Sequence, residues 1–362
     1  MNTFFPEIKK NFGFGCMRFP KVDGEADIPQ IMEMVDAFLD AGFNYFDTLK
    51  FYMDGKSEQI VKTCLTSRYP RDRYVLTDKL SVHCFKTRED VLPLFQEQLD
   101  NCGVEYFDFY FFHALNASRH KFFTEEGIYD IGKELLKSGK IRHLGMSFHD
   151  TADVLDQILT DLPEIEVVQL QFNYVDYLDP RLQSRDCYEV CRKHGKPVMV
   201  MEPVKGGALA NLPESAGALL TQGSSASYAL RYAAGFENVI MVLSGMSSMD
   251  QVLDNIATMR EFKPLTEAEH RIIDQVRTVY QAQNKIPCTA CRYCVEDCPA
   301  GLDIPVLFAC LNDRNQKVEG AQERYEAQAV KADACIGCGH CETVCPQGLH
   351  IPRLLKEVAA GC

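Results

Sequence analysis

Between residues 11 and 262 short apolar runs alternate with amphipathic stretches. Short apolar runs read as strands; apolar positions three and four apart read as one face of a helix. The first strand falls at 12–17. A helix starts at Asp27, with Pro29 in its first turn and Gly42 as its stop, and Ile31, Met34, Val35, Phe38 and Leu39 share one face. Further strands are predicted at 44–48, 74–80, 107–113, 141–148, 167–173, 197–202 and 239–244. Helices are predicted between and after them at 58–66, 87–102, 128–138, 152–160, 181–194, 225–234 and 249–261. One more, 266–283, opens on a capping box of Thr266 and Glu269 and lines Ile272, Ile273, Val276, Val279 and Tyr280 along one side.

Strand–helix alternation demands a parallel sheet, because each crossover needs a helix. Eight such units in about 250 residues fit a closed (β/α)8 TIM barrel. An open doubly wound sheet is the alternative. It would want G-x-G-x-x-G after its first strand, which Gly13-Phe14-Gly15 does not supply.

The chain has 362 residues, 46% of them hydrophobic, so a large core is available and a second, smaller domain fits after the barrel. The expected division is 1–265 for the barrel, 266–284 for a connecting helix and 285–362 for the remainder. A net charge of −13 argues against nucleic-acid and anionic-membrane partners. There is no apolar signal core at the N-terminus and no apolar run approaching a membrane span. A reducing cytoplasm is the expected setting, since sixteen cysteines there stay thiols.

Half of those cysteines lie in two runs, CTACRYCVEDCPAGLDIP from Cys288 and CIGCGHCETVCPQGLHIP from Cys335, offset by 47 positions. Nine of the 18 aligned positions are identical, including every cysteine and the proline after the fourth. Each run is C-x2-C-x2-C-x3-C-P, a pattern for 4Fe-4S clusters in which the fourth cysteine ligates the other cluster. Zinc sites pair two C-x2-C knuckles and have no use for a third and fourth cysteine so close. The expected ligand sets are Cys288, Cys291, Cys294 and Cys345 for one cluster, and Cys335, Cys338, Cys341 and Cys298 for the other. Ala290, Gly337 and Gly339 would let backbone amides approach the sulfides. From about residue 285 onward the chain resembles the bacterial-type two-cluster ferredoxins, which implies a small ferredoxin-like α+β domain. A metal site at Cys187, Cys191 and His194 is the less economical reading of three residues on one helical face, because buried free thiols are commoner.

In such a barrel, functional groups sit at the C-terminal ends of strands. Asp47, Lys79 and His113 stand at three of them, with Tyr52 in the loop beyond Asp47. These residues, with GFGCMR at 13–18, YFDTLKFY at 45–52, DKL at 78–80, FFH at 111–113 and GKIRHLGMS at 139–147, resemble the aldo-keto reductase family. With the cysteine runs, the chain is similar to the subgroup carrying a C-terminal 4Fe-4S module. The resemblance implies reduction of a small aldehyde or ketone, with NADH or NADPH as hydride donor and Asp47, Tyr52, Lys79 and His113 as catalytic tetrad. Its logic is physical as well. A free tyrosine is a weak acid, an ammonium at Lys79 would stabilise its phenolate, Asp47 would hold that ammonium, and His113 would orient the carbonyl oxygen.

By the same resemblance, Ser147 and Gln169 face the nicotinamide carboxamide, with Phe148 and His149 where the family has Asn after the Ser. Met201 stands where the family often stacks an aromatic ring. Ser244, Gly245, Met246 and Ser247 follow the last strand at the usual phosphate position, and Gln251 and Asn255 match adenine-side contacts. Gly245 and Gln251 occupy positions where Lys and Arg commonly grip a 2′-phosphate, which leans toward NADH. Lys205, Gly206 and Gly207 are placed near the pyrophosphate.

Hydride transfer moves two electrons together and iron–sulfur clusters move one, with no flavin motif between them. A redox partner protein is therefore one expectation. Another is that the protein is an iron–sulfur electron carrier or redox sensor whose barrel binds a nucleotide without reducing carbonyls.

Overall fold

The computed structural model describes residues 4–283, 285–316 and 318–362. Eight strands, β1 Phe12–Gly15, β2 Tyr45–Asp47, β3 Val75–Leu80, β4 Phe107–Leu115, β5 Ile141–Phe148, β6 Val167–Gln171, β7 Val198–Met201 and β8 Val239–Gly245, form one parallel sheet. Each pairs with its sequence neighbours, and β8 returns to β1, so the barrel is closed. The main crossover helices are α1 Ile28–Asp40, α2 Ser57–Val61, α3 Val91–Cys102, α4 Ile128–Lys137, α5 Ala152–Asp161, α6 Ser184–Lys193, α7 Ser225–Ala234 and α8 Met249–Arg260. Helix α9, Glu267–Gln281, follows.

Local chemistry sets these boundaries. Asp27 caps α1 by accepting from the Gln30 amide at 3.2 Å, and the buried stripe of that helix is the predicted one. Gly103, at φ 65, ends α3 in the left-handed conformation that a C′ residue adopts. Strand β3 is buried along its whole length, as a parallel strand covered on both faces must be.

Side chains alternate along a strand, and this decides what the barrel interior contains. Tyr45, Val75, Phe109, Phe111, Val167, Met199, Met241 and Leu243 pack together inside with Phe5 and Ile8. Gly13 leaves room for them, since a Cβ there would lie 2.7 Å from Leu243 and 2.9 Å from Tyr45. Two residues beyond Tyr45 and Phe111, and four beyond Val75, the same inward parity reaches Asp47, His113 and Lys79. The apolar filling thus gives way to polar groups at the C-terminal end.

Three elements departed from the predicted pattern. A hairpin of Lys21–Val22 and Glu25–Ala26 turns through Asp23 and Gly24 at φ 51 and 84. Its strands are too short and exposed to leave a hydrophobic signal. A helix at Ala117–Glu125 precedes α4, capped by Asn116, with Phe123 its one buried residue. The predicted helix 58–66 is split, α2 passing into a wider π turn at Lys62–Thr66.

The chain divides into two compact units. The first runs to Val204 and resumes over Leu220–Ile273; the second comprises Lys205–Leu219 and Asp274–Cys362. In the second, α10 Ile304–Asn315 and α11 Ile351–Gly361 each follow a cysteine run and each carry proline in the first turn. Leu307, Phe308, Leu349, Ile351, Leu355 and Val358 form the centre of its core. No helix among the described residues is long and apolar enough to cross a membrane.

Candidate active site and cluster-binding cysteines

The polar end of the barrel holds one buried ion pair. The Lys79 ammonium donates to Asp47 Oδ1 at 2.5 Å and to the Thr48 carbonyl at 2.9 Å, with Lys79 1% and Asp47 5% exposed. Gln169 donates to the other Asp47 oxygen at 3.2 Å. The register explains the meeting: Asp47 lies opposite Thr77, so Lys79, two residues on, reaches back across the strand. The ammonium also lies 5.2 Å from the centre of the Tyr52 ring. Tyr52 opens a short turn in which Met53 and Asp54 have φ 55 and 56. Asp47, Tyr52 and Lys79 are therefore brought together.

His113 is buried, its Nδ1 3.0 Å from the Ser81 hydroxyl. The Phe51 ring meets His113 edge-on at 5.7 Å and His83 at 5.9 Å. Burial, reinforced by the Arg119 and Lys79 charges, holds the His113 imidazole well below its ordinary value, so it is neutral at pH 7. Burial and Arg119 likewise push His149 down to about 3. Ser81 and Arg119 carry no motif in the sequence; the register of β3 with β4 and the unpredicted helix at Ala117–Glu125 bring them in.

Behind Lys79, on the outer face of β3, Asp78 accepts from Gln98 at 3.2 Å and sits near Glu58. Burial, and then the Glu58 charge, push the Asp78 carboxyl well above its usual range.

The residues assigned to the cofactor are placed unevenly. Ser147 and Gln169 lie opposite one another in register, both buried. However, the Ser147 hydroxyl accepts from the Ala114 amide at 2.7 Å, and Gln169 holds Asp47. Met201 is half-buried at the end of β7. Asn255 donates to the Ser244 hydroxyl at 3.3 Å, while the Met246 side chain is fully buried. Gln251 accepts from the Ser247 amide at 2.7 Å. Around Gly245 the structure adds a residue the pattern did not single out: Arg18 side-chain carbons lie 3.3 Å from where a Gly245 Cβ would be. The polar donors Ser244, Asn255 and Gln251 with Arg18 are chemically suited to the phosphate and ribose end of a nicotinamide dinucleotide. Lys205 and Gly206 belong to the second unit and contact residues within it.

In the second unit the cysteines surround two cavities. One, of about 320 Å³, is lined by Cys288, Cys291, Cys294 and Cys345. The other, of about 360 Å³, is lined by Cys298, Cys335, Cys338 and Cys341, with Cys294 also at its wall. This is the crossed grouping, each set completed by the fourth cysteine of the other run. Among the described residues no three His, Cys, Asp or Glu side chains converge on a point where one metal ion would sit. Thiols spaced around a cavity fit a cubane rather than a single ion. Ala290 and Arg292, at φ 53 and 67, repeat the left-handed turns of Gly337 and Gly339, at φ 72 and 77. The Ala290 amide donates to Cys288 Sγ at 3.4 Å, and the amides of Leu349, Gln347 and Gly348 bond to Cys345. Elsewhere, His194 binds Asp156 at 2.6 Å and Cys187 approaches the Asp150 carbonyl at 3.7 Å.

Residues 11–218 match the aldo/keto reductase family profile, and residues 287–349 match that of the 4Fe-4S dicluster domain. The chain is 26% identical over 196 residues to the NADH-specific methylglyoxal reductase of Escherichia coli (strain K12), a match covering 48% of this chain and 57% of that one. The matched part thus spans little more than half of that relative. Identity to an aldo-keto reductase of Mycobacterium avium is 26% over 224 residues, covering 61% of this chain and 72% of the other. Among solved structures, an aldo-keto reductase from Bacillus halodurans in its holo form superposes with a TM-score of 0.60 at 25% identity, covering 74% of this chain and 91% of that one. One from Klebsiella pneumoniae in complex with NADPH shares the fold, with a TM-score of 0.59 at 19% identity, covering 75% and 90%. With its eight-stranded barrel and its paired cysteine runs, the chain belongs to the aldo/keto reductase family and carries a C-terminal 4Fe-4S dicluster domain.

Proposed function

We propose that the barrel reduces an aldehyde or ketone to the alcohol, using NADH or NADPH, and that the eight cysteines hold two 4Fe-4S clusters for electron transfer. The observation that carries the first part is the Lys79 ammonium set between the Asp47 carboxylate and the Tyr52 ring. A bound nicotinamide would supply the hydride to the carbonyl carbon. The chain supplies the rest. Tyr52 gives its proton to the carbonyl oxygen, and the ammonium stabilises the phenolate left behind. Asp47 keeps Lys79 in place. A neutral His113 can hydrogen-bond the carbonyl oxygen without adding a charge to the site.

Ser147, Gln169, Met201, Ser244, Gly245, Met246, Gln251 and Asn255 are the proposed cofactor contacts, with Met246 contributing through its backbone because its side chain is buried. The cysteine sets around the two cavities would hold the clusters, whose chemistry is one-electron transfer. Such thiolates suit a reducing, cytoplasmic setting.

A second reading has its own support. The Ser147 hydroxyl and the Gln169 amide are both engaged with protein groups. That favours an electron carrier or redox sensor whose barrel binds a nucleotide without reducing carbonyls. Anaerobic purification followed by NADH and NADPH oxidation assays separates the two. Turnover with a carbonyl panel supports the reductase; turnover with one-electron acceptors alone supports the carrier.

A further inference from the structure

Residues Lys205–Leu219 belong to the same unit as the cysteine runs. They enter it through three consecutive left-handed residues, Lys205, Gly206 and Gly207, at φ 50, 62 and 97. For a lysine that conformation is strained and needs support from its surroundings. The support is close. A Cβ on Gly206 would lie 2.7 Å from the Thr289 carbonyl oxygen and 2.9 Å from its Cα, so this turn packs backbone on backbone against the loop after Cys288. The turn directs Lys205 inward. It is 4% exposed, and its Nζ donates to Gln347 Oε1 at 3.2 Å. Gln347 is 3% exposed and lines the cavity of Cys288, Cys291, Cys294 and Cys345.

The internal repeat shows that this is an asymmetry between the two cavities. Gln347 is two residues after Cys345, and its counterpart two residues after Cys298 is Ala300. Ala300 lines the other cavity, so one cavity has an amide bonded to a buried ammonium where the other has a methyl group. The second cavity has the carboxylate-bearing Asp297 at its wall instead.

We infer that Lys205 raises the reduction potential of the cluster held by Cys288, Cys291, Cys294 and Cys345, making it the one of the two that is reduced first. Reduction adds one negative charge to a cluster, and a fixed cation beside it in a low-dielectric interior favours that form. Lys205 acts here as a tuning residue and is not a ligand. The inference rests on the proposed two-cluster reading.

The test is an EPR-monitored redox titration of the full-length, anaerobically isolated protein and of Lys205→Met and Lys205→Arg. Two reducible centres and eight irons in the parent establish the two-cluster reading separately. Lys205→Met should lower one potential so that its reduction equilibrium falls at least tenfold, about 59 mV for one electron. The centre that moves should be the one altered in Cys288→Ser, and Lys205→Arg should restore most of the shift. Two centres at unchanged potentials in Lys205→Met overturn the inference. Should Lys205→Met fail to assemble iron, Lys205→Gln, which keeps a hydrogen-bond donor toward Gln347, is titrated in its place. Loss of iron in that variant too would make Lys205 a folding element and overturn the inference equally.

Discussion

The Lys79 ammonium and the Asp47 carboxylate, on neighbouring barrel strands, meet at 2.5 Å with both side chains buried. Removing one partner of such a pair leaves the other charge desolvated, which costs about 3–5 kcal/mol. Lys79→Met should therefore lower the calorimetric midpoint of the barrel as well as carbonyl turnover. Adding Asp47→Asn should recover part of the stability and none of the turnover. A single variant as stable as the parent would show that the pair contributes little to the fold.

Tyr52→Phe keeps the ring that faces Lys79 and removes only the hydroxyl. Carbonyl reduction should fall on the order of 10² to 10⁴-fold, the usual contribution of a general acid. Cofactor affinity by fluorescence titration should be nearly unchanged. Intact turnover in this variant would show that Tyr52 is not the general acid.

At the other end of the barrel interior, His143 binds Glu7 at 2.6 Å and Glu166 at 2.9 Å. Burial opposes its charge, but the hydrogen bonds to Glu166 and Glu7 outweigh that, and its pKa is pushed up to about 9. A histidine whose folded pKa exceeds its unfolded value near 6.5 stabilises fully below that value, and the contribution is lost as pH rises toward 9. Denaturant midpoints should decline between pH 6.5 and 9. His143→Gln should be less stable at pH 6 and flatten that decline. An equal slope in both proteins would count against the assignment.

Cys298 follows the first cysteine run but lines the cavity of the second. Cys298→Ser should therefore perturb the cluster of Cys335, Cys338 and Cys341, leaving that of Cys288, Cys291 and Cys294 closer to its parent EPR signature. The opposite pattern would show that each run completes its own cluster.

Arg18, in the turn after β1, packs its side-chain carbons against Gly245. Arg18→Ala should weaken NADPH more than NADH if the guanidinium meets the 2′-phosphate, and both alike if it meets the pyrophosphate. Equal binding of both cofactors to parent and variant would remove Arg18 from the site. A parent preference for NADH would follow from Gly245 and Gln251 in place of the cations common in the family.

The alternation of apolar strands and amphipathic helices was enough to specify a parallel (β/α)8 barrel, because burial on both faces imposes its own pattern on every strand. The 4Fe-4S domain was legible for a similar reason: cysteine spacing is a local constraint, and the run repeats itself. Asp47, Lys79 and His113 could be found because barrel strands put polar groups at their C-terminal ends. The hairpin at Lys21–Ala26 and the helix at Ala117–Glu125 bury too little to leave a periodic signal.

What only the tertiary structure decided are meetings between residues far apart in the chain. Lys205, placed near the pyrophosphate at the sequence level, bonds to Gln347, 142 positions away. Arg18 reaches Gly245 only because the barrel closes β1 on β8. His113 owes its neutrality to burial and to the charges of Arg119 and Lys79, none of which is encoded in its own strand. Charge, desolvation and contact depend on distance in space, and a linear pattern reports that distance only where a regular element or a repeat supplies the geometry.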